Sequence, residues 1–209
     1  MREILAYQIK GLRDAWYNGL SGEALRSVIV FPLLILLSFA VCLAFPTLRE
    51  SLLSYVLASM DGTGAIRDDG TLSALALFSN NLRATAFIMA YGLIPFIPLP
   101  AMALGVNAMV IGVTAAWYFT EGYSMLGFLA SVLPHGLLEF PALILAFAVG
   151  LFACGQITRR LFRKDENALH LWDCLVLMSR MLLLVLIPLL AAAALIEAYI
   201  TPVIASLFF

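Results

Sequence analysis

The chain has 209 residues, 63% of them apolar and 12% charged, where ordinary soluble domains carry roughly 25% charged residues. A mean hydropathy of +1.01 excludes a soluble globular protein, and a formal net charge of −1 gives no basis for nucleic-acid binding. A crossing helix needs about 20 predominantly apolar residues, so residues 1–209 hold one membrane domain of about four to six spans.

Along residues 1–25, Arg2, Glu3, Lys10, Arg13, Asp14 and Glu23 are scattered where the apolar segment of a cleavable signal would lie, so the first span is expected to be retained. Leu5, Ile9, Leu12, Trp16 and Leu20 recur at three- and four-residue spacing. They draw one apolar stripe on a helix that lies on the membrane surface or packs against the bundle. Residues 27–48 form the first span, with Pro32 near its start and Pro46 near its end. Residues 48–60 read as a short amphipathic helix and 61–70 as a polar, turn-rich loop. The aspartates of that loop lack the later Glu of a calcium site, which makes it a solvated connector.

No charged residue occurs from Ala84 to Thr120, and Pro95, Pro98 and Pro100 interrupt the run near its middle. This is a helical hairpin. Its first arm starts around Ser79 and carries Asn80, Asn81 and Arg83; its second arm, residues 99–119, carries Asn107. Residues 122–157 are too long for one span, and Pro134 offers a helix start, which predicts a fourth span over 134–157. Residues 122–133 are then a surface or re-entrant segment, or an additional span. Residues 181–200 supply the fifth span, approached by an amphipathic stretch over 161–180. The expected fold is all-α: a polytopic transmembrane bundle (27–209) of about five spans after an N-terminal amphipathic helix (1–25), with a re-entrant segment.

Arg2, Lys10, Arg13 and Arg26 precede span one, Arg159, Arg160, Arg163 and Lys164 follow span four, and Arg180 precedes span five. With five spans these groups share one side, which the positive-inside rule makes the cytoplasm of a plasma (inner) membrane, with the C-terminus outside. Arg180 is expected to snorkel to headgroups or to pair with Asp173. Cys42, Cys154 and Cys174 form no CxxC pair and read as small core residues. Ala108, Gly112 and Ala116, and likewise Ala142, Ala146 and Gly150, make small-residue stripes that join helices within the chain or across a homodimer.

Ionisable side chains inside hydrocarbon need partners, and these converge. On the predicted topology His135 and Glu139 share a face of span four near its outer end, with Glu197 near the outer end of span five and Asn80, Asn81 and Arg83 near that of span two. Asn107 sits deeper. Three readings stay open: a hydrogen-bonded structural network, a divalent-metal site, or a proton or ion pathway. His135 with the two carboxylates is a ligand set that suits zinc with an open position, although no HExxH motif is present. His170, beside the basic connector, reads as interfacial.

The segments Asn80-Asn81-Leu82-Arg83, Gly105-Val106-Asn107 followed by Gly112, Leu133-Pro134-His135-Gly136-Leu137-Leu138-Glu139 continuing to Gly150, and Ile196-Glu197-Ala198-Tyr199-Ile200-Thr201-Pro202 resemble the stage II sporulation protein M family. In that family an LPHG-x-x-E segment opens one span and an IE-x-x-x-TP segment closes the last. The likeness covers roughly residues 70–205, with the N-terminal part similar only in layout. It implies a multi-span inner-membrane protein whose sporulating members work with two cell-wall-degrading partners during engulfment of the forespore, although many relatives belong to organisms that make no spores. The function expected from the resemblance is a non-enzymatic membrane scaffold that recruits or regulates cell-envelope proteins. The alternatives are a transporter or channel that uses the polar cluster, and a metal-dependent membrane hydrolase.

Overall fold

The computed structural model describes residues 2–61, 64–67 and 71–208. Among them every regular element is a helix, apart from one isolated antiparallel bridge between Ile66 and Leu72. The order is α1 (Arg2–Ala15), α2 (Ser21–Ala44), α3 (Pro46–Asp61), α4 (Ala74–Tyr91), α5 (Leu99–Thr120), α6 (Met125–Phe162), α7 (Leu171–Met181), α8 (Ile187–Leu195) and α9 (Thr201–Ala205). A kink at Asn18 and Gly19 joins α1 to α2, and widened π-helical turns join α7 to α8 at Leu182–Leu186 and α8 to α9 at Ile196–Ile200. Pro188 and Pro202 open α8 and α9. A proline ring has no N–H to donate and clashes with the carbonyl four residues back, so the turn before it opens out. Asp68 and Asp69 of the expected polar connector lie outside the described residues.

Four helical stretches are long and apolar enough to cross a membrane: Arg2–Ala44, Leu99–Thr120, Met125–Phe162 and Leu171–Ala205. The expectation of about five spans fits these four together with α4, which has 18 residues and carries Asn80, Asn81 and Arg83. Helix α4 packs between α5, α6 and α8, so protein side chains rather than lipid meet much of its surface. The re-entrant segment is not there. Residues 125–133 are the first turns of a continuous 38-residue α6 that holds Pro134 and Pro141 inside it. Its start is Ser124, whose hydroxyl accepts from the Gly127 N–H at 3.1 Å. Membrane helices tolerate internal proline because neighbouring helices and local adjustments satisfy the freed carbonyl, whereas breaking the helix in lipid would expose a whole turn of backbone. The first span also ends earlier than expected: Phe45 leaves the helical region (φ −126°, ψ 84°) and Pro46 opens α3.

Helix α1 has no buried residue and lies across α7. Gly19, at φ 120°, bends the chain from α1 into α2, a conformation open to a residue without Cβ. Arg180 holds the other end of this arrangement. Its Nε donates to Gln8 Oε1 at 2.6 Å and its guanidinium stands 5.4 Å from the Tyr7 ring centroid. The expected Arg180–Asp173 pair does not form; Asp173 instead accepts from the His170 N–H at 3.1 Å and caps α7.

Helix α6 is the centre of the bundle and touches α2, α4, α5, α7, α8 and α9. Ala108, Ala116, Ala142 and Ala146 are fully buried. A Cβ on Gly112 would stand 2.6 Å from Ser38 Cβ and 2.8 Å from the Ile35 carbonyl oxygen of α2. One on Gly150 would stand 2.9 Å from the Ile88 carbonyl oxygen and 3.0 Å from Pro100 Cγ. Both small-residue stripes are therefore used within the chain, where association depends on backbone approach. Cys42, Cys154 and Cys174 are free and buried.

The connector between α6 and α7 is tied by Arg159 to Asp165 and by Arg160 Nη1 to the Glu166 carbonyl at 2.6 Å. The Arg159 hydrogen bond, with that of the Asn167 N–H, holds the Asp165 carboxyl below its ordinary value. A depressed folded pKa contributes order that is present above the unfolded value, about 3.9, and is lost as pH falls through the folded value. Asp165→Asn should therefore speed amide exchange over residues 163–170 at pH 7, by a margin that shrinks only as pH falls below the ordinary carboxylate range. The effect is small because the pair is exposed.

Candidate functional site: a polar centre between the α6 and α9 ends

Hydroxyl and amide side chains inside these helices mostly satisfy themselves on the carbonyl three or four residues back. Thr85 donates to Asn81 O at 2.9 Å, Asn107 Nδ2 to Ala103 O at 3.0 Å, Thr114 to Val110 O at 2.8 Å and Ser131 to Gly127 O at 2.9 Å. Such bonds meet the demand that polar groups in a bilayer be paired internally.

One group of side chains departs from that pattern. His135 and Glu139 stand one helical turn apart on α6, with His135 Nε2 3.9 Å from Glu139 Oε2. Glu197 enters from the widened turn Ile196–Ile200. One ligand atom from each of the three lies within 4.8 Å of the others. His135 Nδ1 is 3.3 Å from Thr201 Oγ1, and Thr201 is buried. With the proton on Nδ1, that contact leaves the Nε2 lone pair directed towards the carboxylates. Among the described residues no protein hydrogen bond reaches either carboxylate, and none reaches the Asn80 or Asn81 side-chain amides.

These groups line one cavity of about 380 Å³ between α4, α5, α6 and the turn before α9. Asn80, Asn81, Asn107, His135, Glu139 and Glu197 all contribute to its wall, together with Thr114 and Ser131. Arg83 is exposed and does not line it. Arg83 is thus the one member of the expected polar cluster that the structure does not bring together with the rest. Thr201 orients His135 without having been singled out in the sequence; its only signal there is its place before Pro202 in the Glu197–Pro202 segment. Replacing Thr201 by Val should free the imidazole at a cost of about 1 kcal/mol, read as a lowered thermal midpoint in detergent with the helical circular-dichroism spectrum unchanged.

Two carboxyl groups this close together in a low-dielectric setting either hold a proton or have positive charge between them. Imidazole nitrogen with two carboxylate oxygens is a donor set for a zinc-type cation, whose ligand bonds of about 2.0–2.2 Å place donors about 3.3 Å apart. The three side chains would close by roughly an ångström to reach that spacing. Thr201 would then serve the familiar part of orienting a ligating histidine through its other nitrogen.

Two sets of aromatic residues mark the ends of the bundle. Trp117, Tyr118 and Tyr123 cluster at the α5–α6 turn, and Tyr7, Trp16, Tyr17 and Trp172 are exposed at the end that carries Arg159, Arg160 and Arg180. Interfacial belts of Trp and Tyr belong to membrane proteins. Apolar helices between two such belts, with a polar centre towards one end, define an α-helical polytopic membrane protein. A family model described as Stage II sporulation protein M matches residues 27–202, and the chain belongs to that family. The match begins at Ser27, so it takes in the first span as well as the segments on which the resemblance was read. No curated protein and no solved structure matches the chain.

Proposed function

We propose that the protein is an integral-membrane organiser of cell-envelope proteins whose bundle is fastened by a divalent-metal centre at His135, Glu139 and Glu197. The family assignment supports the organiser role, since sporulating members of the family work with partners that cut the cell wall. The metal centre is supported by one observation above the rest: the ligand atoms of His135, Glu139 and Glu197 converge within 4.8 Å. A metal there would draw the last helix against α6 and fix the helix ends on which a partner docks. Isolation from native membranes in mild detergent tests the organiser role. A cell-wall-degrading protein should co-purify reproducibly with the chain, and repeated recovery of the chain alone would count against it.

The basic end is placed in the cytoplasm because Lys and Arg resist translocation, which puts the polar centre on the outer side of the plasma membrane. Because Cys42, Cys154 and Cys174 are buried, single cysteines introduced at Arg163 and Ser206 can be labelled over a low background. Arg163→Cys should react only after permeabilisation and Ser206→Cys in intact cells; reaction of both from one side would overturn the topology.

A further inference from the structure

The polar cavity has a neighbour beyond Asn107. Asn107 also lines a second hollow, of about 510 Å³, between α4 and α5, whose remaining walls include Phe87, Ile88, Tyr91, Met102 and Val106. Phe87, Met102 and Val106 are 54%, 67% and 51% exposed, and in a bilayer they face acyl chains. Helices α4 and α5 thus enclose one cleft in two parts. Asn107 marks the boundary: the part towards Thr114 is polar, and the part towards the 92–98 turn is apolar and open to lipid.

The direction of that polarity matters. From Asn107 back to Leu99 the helix rises about 12 Å. The 92–98 turn is tied to Thr158 beside Arg159 and the Trp117, Tyr118 and Tyr123 cluster stands at the α5–α6 turn, so the polar part lies on the side away from the basic end. Polar away from the basic end and apolar towards it is the order of an amphiphile whose head lies in the polar part. Inside the polar part, the Asn80 and Asn81 amides carry N–H donors with no protein acceptor among the described residues.

We propose that the α4–α5 cleft binds one membrane amphiphile with a phosphate head, its tail along Val106 and Met102 and a head oxygen on the metal centre. The assignment of the head rests on the metal reading above, because ionised Glu139 and Glu197 repel an anion unless a cation lies between them. Three protein ligands leave a zinc-type ion one position for an oxygen donor, and the Asn80 and Asn81 amides donate to the other phosphate oxygens.

Native mass spectrometry of the full chain in detergent, with dioctanoyl phosphatidic acid and dioctanoylglycerol as probes and zinc content read on the same samples, tests this. One phosphatidic acid should bind per chain, roughly 10-fold more weakly after chelation, and the uncharged diacylglycerol should not match it. Val106→Trp, which fills the apolar part at a distance from the metal ligands, should weaken binding by a similar factor with zinc content and melting temperature retained; Val106→Phe serves if the Trp variant does not fold. Equal binding of the two probes, or phosphatidic acid binding that neither chelation nor the Val106 substitution reduces, overturns the lipid proposal while zinc retention keeps the metal centre standing. Failure of the wild-type chain to retain zinc overturns the metal reading and the head assignment together.

Discussion

Replacing His135 by Ala should leave the chain with less than about a hundredth of its metal affinity. Removing even an outer partner of a metal ligand costs about 10–100-fold, and His135 is the nitrogen donor of a three-residue set. The loss should appear as metal-free protein after gel filtration. His135→Ala also removes the partner of buried Thr201, so some loss of stability accompanies it whether or not a metal binds. The two causes separate through Glu197→Gln, which leaves the His135–Thr201 contact intact and still withdraws a charged ligand. If the cluster is only a structural network, His135→Ala lowers the melting temperature while the metal content of wild type and both variants is equally negligible.

Gly92→Leu should be the most destabilising single change outside the polar centre. Gly92 ends α4 against the Gly150 carbonyl of α6, and a Cβ on Gly92 would overlap that backbone group. Backbone cannot swing aside as a side-chain tip does. Gly150 itself is hemmed in by the Ile88 carbonyl and Pro100, so the strain passes to the α4–α5 turn. That turn is held on α6 by the Phe96 N–H donating to Thr158 Oγ1 at 3.0 Å. Overpacking of this kind costs about 3 kcal/mol, or a fall of about 6–12 °C in melting temperature for a chain of this size. A fall under about 2 °C would mean that the two helices do not approach as closely as the structure has them.

Much of the fold was legible because lipid imposes simple demands on a sequence. The uncharged stretches showed where helices cross, and the three prolines at 95, 98 and 100 marked the α4–α5 turn. The prolines inside helices misled. Pro134 signals a start in water, yet α6 runs through it, because in a bilayer the backbone ladder is costlier to break than to bend. Helix α4 falls short of an ordinary span for a related reason: Asn80 and Asn81 line the cavity it shares with α5 and α6, which a single-helix count does not register.

The centre was legible in part. The four-residue spacing of His135 and Glu139 fixes their common face, and a carboxylate inside the last apolar span drew attention to Glu197. What brings Glu197 round to them is the widened turn ahead of Pro202, which a regular helical period does not foresee. Arg83 shares α4 with Asn80 and Asn81 but points away from the cavity, so proximity in sequence overstated its part. Arg180 was placed at the membrane surface by its charge, but which residue it would find was set by α1 folding across α7. Such partners lie far apart in sequence and leave no local pattern.

The central claim is that His135, Glu139 and Glu197 hold a divalent cation, and the most direct measurement is the metal-to-protein ratio of the wild-type chain by elemental mass spectrometry. The protein would be purified in detergent without chelator, exposed to excess zinc and then desalted. A ratio near one per chain that a strong chelator removes, together with a fall in melting temperature, is the predicted result. A well-folded chain that retains under about a tenth of an ion, and whose melting temperature neither zinc nor chelator moves, would contradict it.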